Sequence, residues 1–393
     1  MHQIAIVIVG FNRLQSISRL LDSVSNAYYD SFNIPLVISI DKSDTDIIEQ
    51  YADKFIWNYG EKTVIKHRER MGLRAHILSL GQLFDKYDAL IILEDDLTVS
   101  PNFYTYAQQT VNKYFNDNNI AGISLFNFGV NYQTGGVFVP IKDENDVYFM
   151  NCAQSWGEIW MKNQWLQFWE WYNDHEVFPK ESNILPRQIC GWRDSSWLKY
   201  HTRYCIENNL YFVYPYISFA TNNGDTGFHN KGKYCNINQE RLQMGKITHL
   251  HLPDFIANTV VCYDGFFENK NLTQYLGINS DECCIDLNGE KGNKTQKKYW
   301  LTMSPHNYKI IRQFGVRYRP IEQNIITATE GNDIFLYNTN VIERNTFKKR
   351  HFSRELYDIR QNEITSIVRK YGIKNLIIEV MLKIAYKLFK VKK

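Results

Sequence analysis

The sequence predicts an α/β fold with a mixed, mostly parallel sheet flanked by helices, a small C-terminal appendage and a basic amphipathic C-terminal helix. Three observations carry this. Short apolar runs alternate with stretches of helical spacing through the first hundred residues. Each run ends in polar or charged residues, and turn residues separate the segments. The final fifty residues then change in charge and periodicity.

The first run, "IAIVIVGF" (Ile4–Phe11), is continuous rather than alternating, as expected for a strand covered on both faces. "NRLQSISRLLDSVSNAYY" follows with apolar residues at helical intervals. "IPLVISIDKSD" repeats the design and reaches Asp41 at its end; a further helical stretch leads to "KTVIKHRERMGL". A helix across "AHILSLGQLFDKY" then precedes the strand "ALIILEDD". Parallel sheets built this way take ligands beyond the carboxyl ends of their strands. That rule gathers Asn12, Arg13, Asp41 and the acidic run Glu94, Asp95 and Asp96 at one crevice. From Cys152 to Trp197 lie seven of the nine tryptophans, fitting either an aromatic core or a platform for sugar faces. "TNNGDTGFHN" reads as a Gly/Asn loop able to close over a ligand. Residues 266–345 read as a small mixed accessory region with a strand in "DIFLYN".

Composition narrows the function classes. The net charge of +3 is too small for a nucleic-acid binder, and no nucleic-acid partner is expected. The charge is local: residues 346–393 hold 13 Lys+Arg against 4 Asp+Glu. "NLIIEVMLKIAYKLFKVKK" places Leu376, Val380, Ile384 and Leu388 on one helical face and Glu379, Lys383 and Lys387 on another, a pattern suited to an anionic membrane surface. The seven cysteines form no CxxC pair, so neither a zinc site nor a disulfide framework is expected. A strand beginning at the third residue leaves no space for a signal peptide, and no run of 18 apolar residues occurs. The expected location is cytoplasmic, with the basic tail at the inner face of the cell membrane.

Three consecutive carboxylates at the tip of a buried strand repel one another and resist losing water. A divalent cation resolves the conflict, because Mg2+ or Mn2+ is usually held by one or two carboxylates plus substrate phosphates. Alternation along an extended chain would turn Glu94 and Asp96 one way and Asp95 the other.

"LIILEDDLTVSPNFYTYAQ" resembles the metal-binding strand and following helix of the N-acetylglucosaminyltransferase I family and of bacterial family-two-like glycosyltransferases. "VIVGFNRLQSISRLLDSV", "VISIDKS" and "RAHILSLGQLF" resemble the family's preceding segments in the same order. The resemblance covers roughly residues 3–232 and implies the GT-A fold, a Rossmann-like sheet. It implies a transferase domain over 1–265, with a nucleotide-binding half (1–110) and an acceptor half (111–265), ahead of the accessory region 266–345 and the basic helical tail 346–393. It also implies a divalent metal (Mn2+ or Mg2+) and a nucleotide-sugar donor, most simply a UDP-sugar. The acceptor would be a glycan or glycolipid of bacterial surface polysaccharide synthesis. Carried over residue by residue, Arg13 meets the nucleotide and Asp41 the uracil ring. His76 or Arg74 contacts the nucleotide from the next helix. Asp96 takes the cation, while Glu94 and Asp95 face the sugar and ribose. "GWRDSSW" resembles the family's catalytic-base segment and gives that role to Asp194, although Arg193 and Ser195 stand where Asp and Trp are expected. Flanking tryptophans would desolvate Asp194 and raise its pKa; alternatively it caps the next helix. His229 in the Gly/Asn loop is a candidate second metal ligand or phosphate contact. A sugar nucleotidyltransferase would need a glycine-rich phosphate loop after the first strand, where "VGFNRLQS" has one glycine. A non-catalytic carbohydrate-binding protein is the remaining alternative.

Overall fold

The computed structural model describes residues 2–226, 238–294 and 296–346, with 372–374, 377–378 and 381 beyond them. The chain forms two compact units, Met1–Arg344 and Asn345–Lys393.

The first unit opens with β1 (Ile4–Gly10), α1 (Leu14–Ser25), β2 (Leu36–Ile40), α2 (Ile47–Lys54), β3 (Lys62–Lys66), α3 (Leu73–Ser79) and β4 (Ala89–Glu94). Then come β5 (Leu97–Val99), α4 (Phe103–Tyr114), β6 (Ile120–Ser124), β7 (Val147–Met150), β8 (Glu158–Met161) and α5 (Lys162–Asn173). The chain continues with α6 (Arg187–Cys190), α7 (Leu198–Glu207), β9 (Tyr211–Pro215), β10 (Ala220–Asn222) and β11 (Cys262–Tyr263). Nine strands make one sheet in the order β11-β7-β9-β6-β8-β4-β1-β2-β3. Strands β3, β2, β1 and β4 are mutually parallel, and β8 enters antiparallel between β4 and β6. The expected mixed, mostly parallel sheet is borne out.

Continuous apolar runs make the strands central. In β1, Ile4, Ile6 and Ile8 face α1 and α4 on one side, while Ala5, Val7 and Val9 face α3, α5 and α7 on the other. All these side chains are buried, each worth about 1.5–3 kcal/mol for the larger ones. The tryptophan-rich segment divides. Trp160, Trp165 and Trp197 are core residues, Trp160 and Trp165 stacking at 3.8 Å, whereas Trp169 is 38% exposed. Gly157, just before β8, has φ +89°, and a Cβ there would meet Leu125 Cβ at 2.9 Å. Glycine therefore lets the chain turn tightly into the antiparallel strand.

A four-stranded sheet follows from β12 (Cys283–Asp286), β13 (Tyr299–Thr302), β14 (Tyr308–Phe314) and β15 (Ile334–Ile342), ordered β12-β13-β15-β14 over its own core. In the second unit, 373–374, 377–378 and 381 are helical, and Ile373, Ile377, Ile378 and Met381 are exposed. The apolar and basic faces expected of the tail, at Leu376, Val380, Ile384, Leu388, Glu379, Lys383 and Lys387, lie outside the described residues. Among the described residues no helix is long and apolar enough to cross a membrane.

Candidate active site

Parallel pairing brings the ends of β1, β2 and β4 together. Val9 is opposite Glu94, and the Asp41 N–H donates to the Gly10 carbonyl at 2.9 Å. β4 ends at Glu94, residues 95–96 form a turn, and β5 departs at Leu97. The turn corrects the expected alternation. Asp95 and Asp96 both face Arg13: the guanidinium donates from Nη2 to Asp95 Oδ1 and from Nε to Asp95 Oδ2 at 3.3 Å, and Nη2 stands 3.2 Å from Asp96 Oδ2. An extended backbone would have parted them; a tight turn does not.

The electrostatics follow from burial and crowding. Burial, then Asp96 and Asp95, push the Glu94 carboxyl up to about 8, opposed by Arg13 and by a hydrogen bond with Ser155. Burial pushes Asp95 up to about 6 against the pull of Arg13. Arg13, flanked by two carboxylates, is held protonated. Asp96 Oδ1 is the exception in this network: it is buried and has no hydrogen-bond partner among the described residues. An acceptor stranded in this way costs about 1–3 kcal/mol. Among the described residues no three His, Cys, Asp or Glu side chains converge as a closed metal cage. A substrate-completed site does not need one. One carboxylate oxygen at a strand tip is the donor set expected for a cation that takes its other ligands from water and phosphate. Asp96 therefore fits a divalent ion.

The start of the Gly/Asn loop is tied to this turn. β10 pairs antiparallel with β5, and Asn223 donates both its backbone N–H and its Nδ2 to the Asp96 carbonyl at 2.9 Å. Asp225 accepts from Ser16 Oγ at 2.7 Å and pairs with Arg19, both on α1. Although burial opposes it, these partners hold the Asp225 carboxyl below its usual range. The sequence pointed to the loop but not to these anchors. Asn223 grips a backbone atom, and Ser16 and Arg19 are distant in sequence. His229 lies outside the described residues.

Asp41 is buried, and its carboxylate accepts from the backbone N–H groups of Lys42 (2.9 Å), Met71 (2.8 Å) and Gly72 (3.0 Å). Gly72, at φ +78°, turns the chain into α3. Asp41 thus fixes the backbone turn from which α3 starts. Of the two candidates on α3, His76 points into the core. It is 2% exposed and its Nε2 pairs with Ser39 Oγ at 2.7 Å. Burial and the neighbouring His67 lower it to about 4. Arg74 takes the outward direction and reaches the Tyr200 hydroxyl at 3.2 Å, linking α3 to α7.

A neutral buried His76 makes a stability prediction. Its folded pKa lies below its ordinary 6.5, so the unfolded chain takes up a proton first as pH falls. Stability tied to His76 is complete above pH 6.5 and is lost down to about 4, amounting to about 3 kcal/mol. Urea unfolding at neutral pH and at pH about 4.5 should show that His76→Asn, whatever its overall cost, loses less on acidification than the wild type does. An equal loss in both proteins would contradict this.

Asp194 differs in environment from the expectation. Its side chain is 99% exposed, not desolvated by Trp192 and Trp197. Nor does it cap α7, whose N-terminal cap is Trp197 with no side-chain bond. Instead Lys199 Nζ donates to Asp194 Oδ1 at 3.0 Å, and the carboxyl is lowered by that bond and charge, with help from Arg74 and Lys180. Lys199 is itself 1% exposed, its ammonium 4.8 Å from the Phe178 ring centre. Sequence reasoning missed Lys199 because a lysine five residues along reads as a solvated helix residue. It also missed a fully buried pair, Glu158 Oε1 at the start of β8 and His201 Nδ1 on α7, at 3.0 Å.

The first third of the chain matches a known family. Residues 1–134 match the GNT-I family model. That stretch spans β1 to β6 and contains Arg13, Asp41, Arg74, His76 and the acidic turn, so the resemblance read from the sequence is borne out there. No curated protein matches the chain. Among solved structures, Staphylococcus aureus TarS in complex with UDP-GlcNAc is similar with a TM-score of 0.40 and 12% identity, over 59% of this chain and 62% of that one. A mannosyltransferase from Pyrobaculum calidifontis, in complex with GDP-Man and Mn2+, gives 0.34 and 11%, over 55% and 57%. GalNAc-T7 with UDP, GalNAc and Mn2+ gives 0.42 and 15%, over 60% and 46%. The chain thus spans less than two thirds of the length of each.

Proposed function

We propose that this protein is a metal-dependent, inverting glycosyltransferase that moves a sugar from a UDP-sugar to a hydroxyl of a glycan or glycolipid. The observation that carries the reading is the unpartnered, buried Asp96 Oδ1 at the tip of a central strand, inside the segment matching the GNT-I family. A divalent ion held by Asp96 and completed by the diphosphate would neutralise the charge that develops on the leaving group. Arg13 keeps Asp95 ionised and fixes the turn. Asn223 holds the Asp96 backbone from the covering loop. The acceptor oxygen bonds to the anomeric carbon as the bond to the diphosphate breaks, and its proton passes to Asp194. Attack from the face opposite the leaving group inverts the anomeric centre. We assign the transferase domain to 1–265, an accessory region to 266–345 and a basic tail to 346–393.

UDP release tests the reading. With Mn2+ and a panel of UDP-sugars, at least one donor should yield UDP at a slow basal rate, and EDTA should stop it. No UDP from any donor, with or without glycan acceptors, would overturn the assignment. The surplus of positive charge after residue 346 supports a cytoplasmic enzyme working against anionic lipid in surface polysaccharide synthesis. Truncation after Tyr371 should then abolish sedimentation with anionic vesicles; undiminished binding would remove the membrane role.

A further inference from the structure

A second concavity, away from the acidic turn, lies where the loop after β12 folds back over β11 and the end of α7. Its volume is about 290 Å3, near the lower end of the range for small-ligand sites. Four lysines line it, Lys270, Lys291, Lys294 and Lys297, against a single carboxylate, Asp264.

Three of the four lysines have no carboxylate partner among the described residues. Lys291 pairs with Asp264. Lys270 Nζ donates to neutral oxygens, Asn209 Oδ1 at 2.9 Å and the Tyr211 hydroxyl. Lys297 Nζ donates to the Asp281 carbonyl. Lys294 is exposed and pairs with no carboxylate among the described residues. Two further acids, Asp286 and Glu268, stand beside Lys291. Asp286 is engaged by the N–H groups of Lys291 (2.9 Å) and Gly292 (3.0 Å) and by Trp300 Nε1. Burial pushes the Glu268 carboxyl up to about 8 against the pull of Lys291. Ammonium groups gathered around one concavity repel one another and raise the local concentration of anions.

We infer that this pocket binds a small anionic carbohydrate, a sugar bearing a phosphate or a carboxylate, at a site distinct from the acidic turn. The lysines take the charged group. Asn183 and Ser280 offer hydrogen bonds to hydroxyls, and Ile184 and Phe266 provide an apolar wall. The acidic turn, with its three carboxylates, would repel such a ligand in the absence of a cation.

Calorimetric titration of the full chain without metal tests the inference. Glucose 6-phosphate, glucuronate, glucose and inorganic phosphate serve as probes. At least one of the two charged sugars should bind, more weakly as salt is raised, and which one binds separates phosphate from carboxylate as the recognised group. Glucose should not bind. The double variant K294E/K297E should weaken binding at least about tenfold, equivalent to about 1.4 kcal/mol. Its affinity for UDP with Mn2+ should equal that of the wild type. If the double variant melts early, K294E alone, at an exposed position, makes the same comparison. Absence of binding by either charged sugar, unchanged affinity in the variants, or inorganic phosphate binding as tightly as the sugar phosphate would each overturn it. Failure of the wild type to bind UDP with Mn2+ would count against the donor site and leave this pocket's result standing.

Discussion

Asp96→Asn is expected to abolish metal-dependent donor binding and to lower kcat/KM by at least about 10²–10³-fold, the scale for losing one preorganised charge-stabilising group. The fold should survive the change. Asp96 Oδ1 has no hydrogen-bond partner to lose, and Arg13 keeps its two-pronged contact with Asp95. Removing a negative charge from beside Glu94 and Asp95 relieves repulsion, which offsets the weakened Arg13–Asp96 contact, so the metal-free variant should melt close to the wild type. Calorimetry of UDP with and without Mn2+, alongside thermal melting, separates the two effects. Metal-enhanced UDP binding that persists in Asp96→Asn would move the ion elsewhere. Asp95→Asn is the contrasting case, because it strips Arg13 of its closest partner and should cost stability as well as affinity.

Asp194→Asn should leave UDP affinity unchanged and reduce sugar transfer by about 10²–10⁴-fold, the range for losing a general base. The structure alters the expected pH behaviour. A desolvated aspartate would stay ionised only at higher pH, but Lys199 holds Asp194 below its ordinary 3.8. With a depressed pKa the carboxylate remains ionised as pH falls, so Asp194 imposes no acid limb on turnover between neutral pH and pH about 5. Lys199→Met removes the buried ammonium and frees an already exposed side chain. It should reduce kcat through misplacement of Asp194 without changing KM for the donor. Undiminished transfer by Asp194→Asn would remove the base assignment. A rise in donor KM with unchanged kcat in Lys199→Met would make that lysine a donor-binding residue instead.

The fold was legible because its signal is local. Runs such as Ile4–Gly10 and Ala89–Glu94 are apolar at every position, which only a strand covered on both faces tolerates. Chain order then placed Arg13, Asp41 and the acidic run at neighbouring strand ends. The arrangement within the site was less legible. Alternation was applied through Asp95 and Asp96, where a two-residue turn cancels it. Asp194 was read from its tryptophan neighbours in sequence, whereas Lys199 from the next helix governs its charge. His76 and Arg74 could not be ranked by letters alone, because rotation about α3 decides which of them enters the core. Asn223 was invisible because its partner is a backbone carbonyl, identical at every residue. Composition leaves the tryptophan-rich segment open between a core and a platform for sugar faces; packing places Trp160 and Trp165 in the core and Trp169 at the surface.

The central claim, that Asp96 and a diphosphate share one divalent ion, is tested most directly by electron–nuclear double resonance on Mn2+ in the presence of UDP. The wild type should show strong phosphorus couplings from both phosphates, and Asp96→Asn should not form this complex at the same concentrations. A manganese spectrum without phosphorus coupling in the wild type, or one unchanged by Asp96→Asn, would contradict the account.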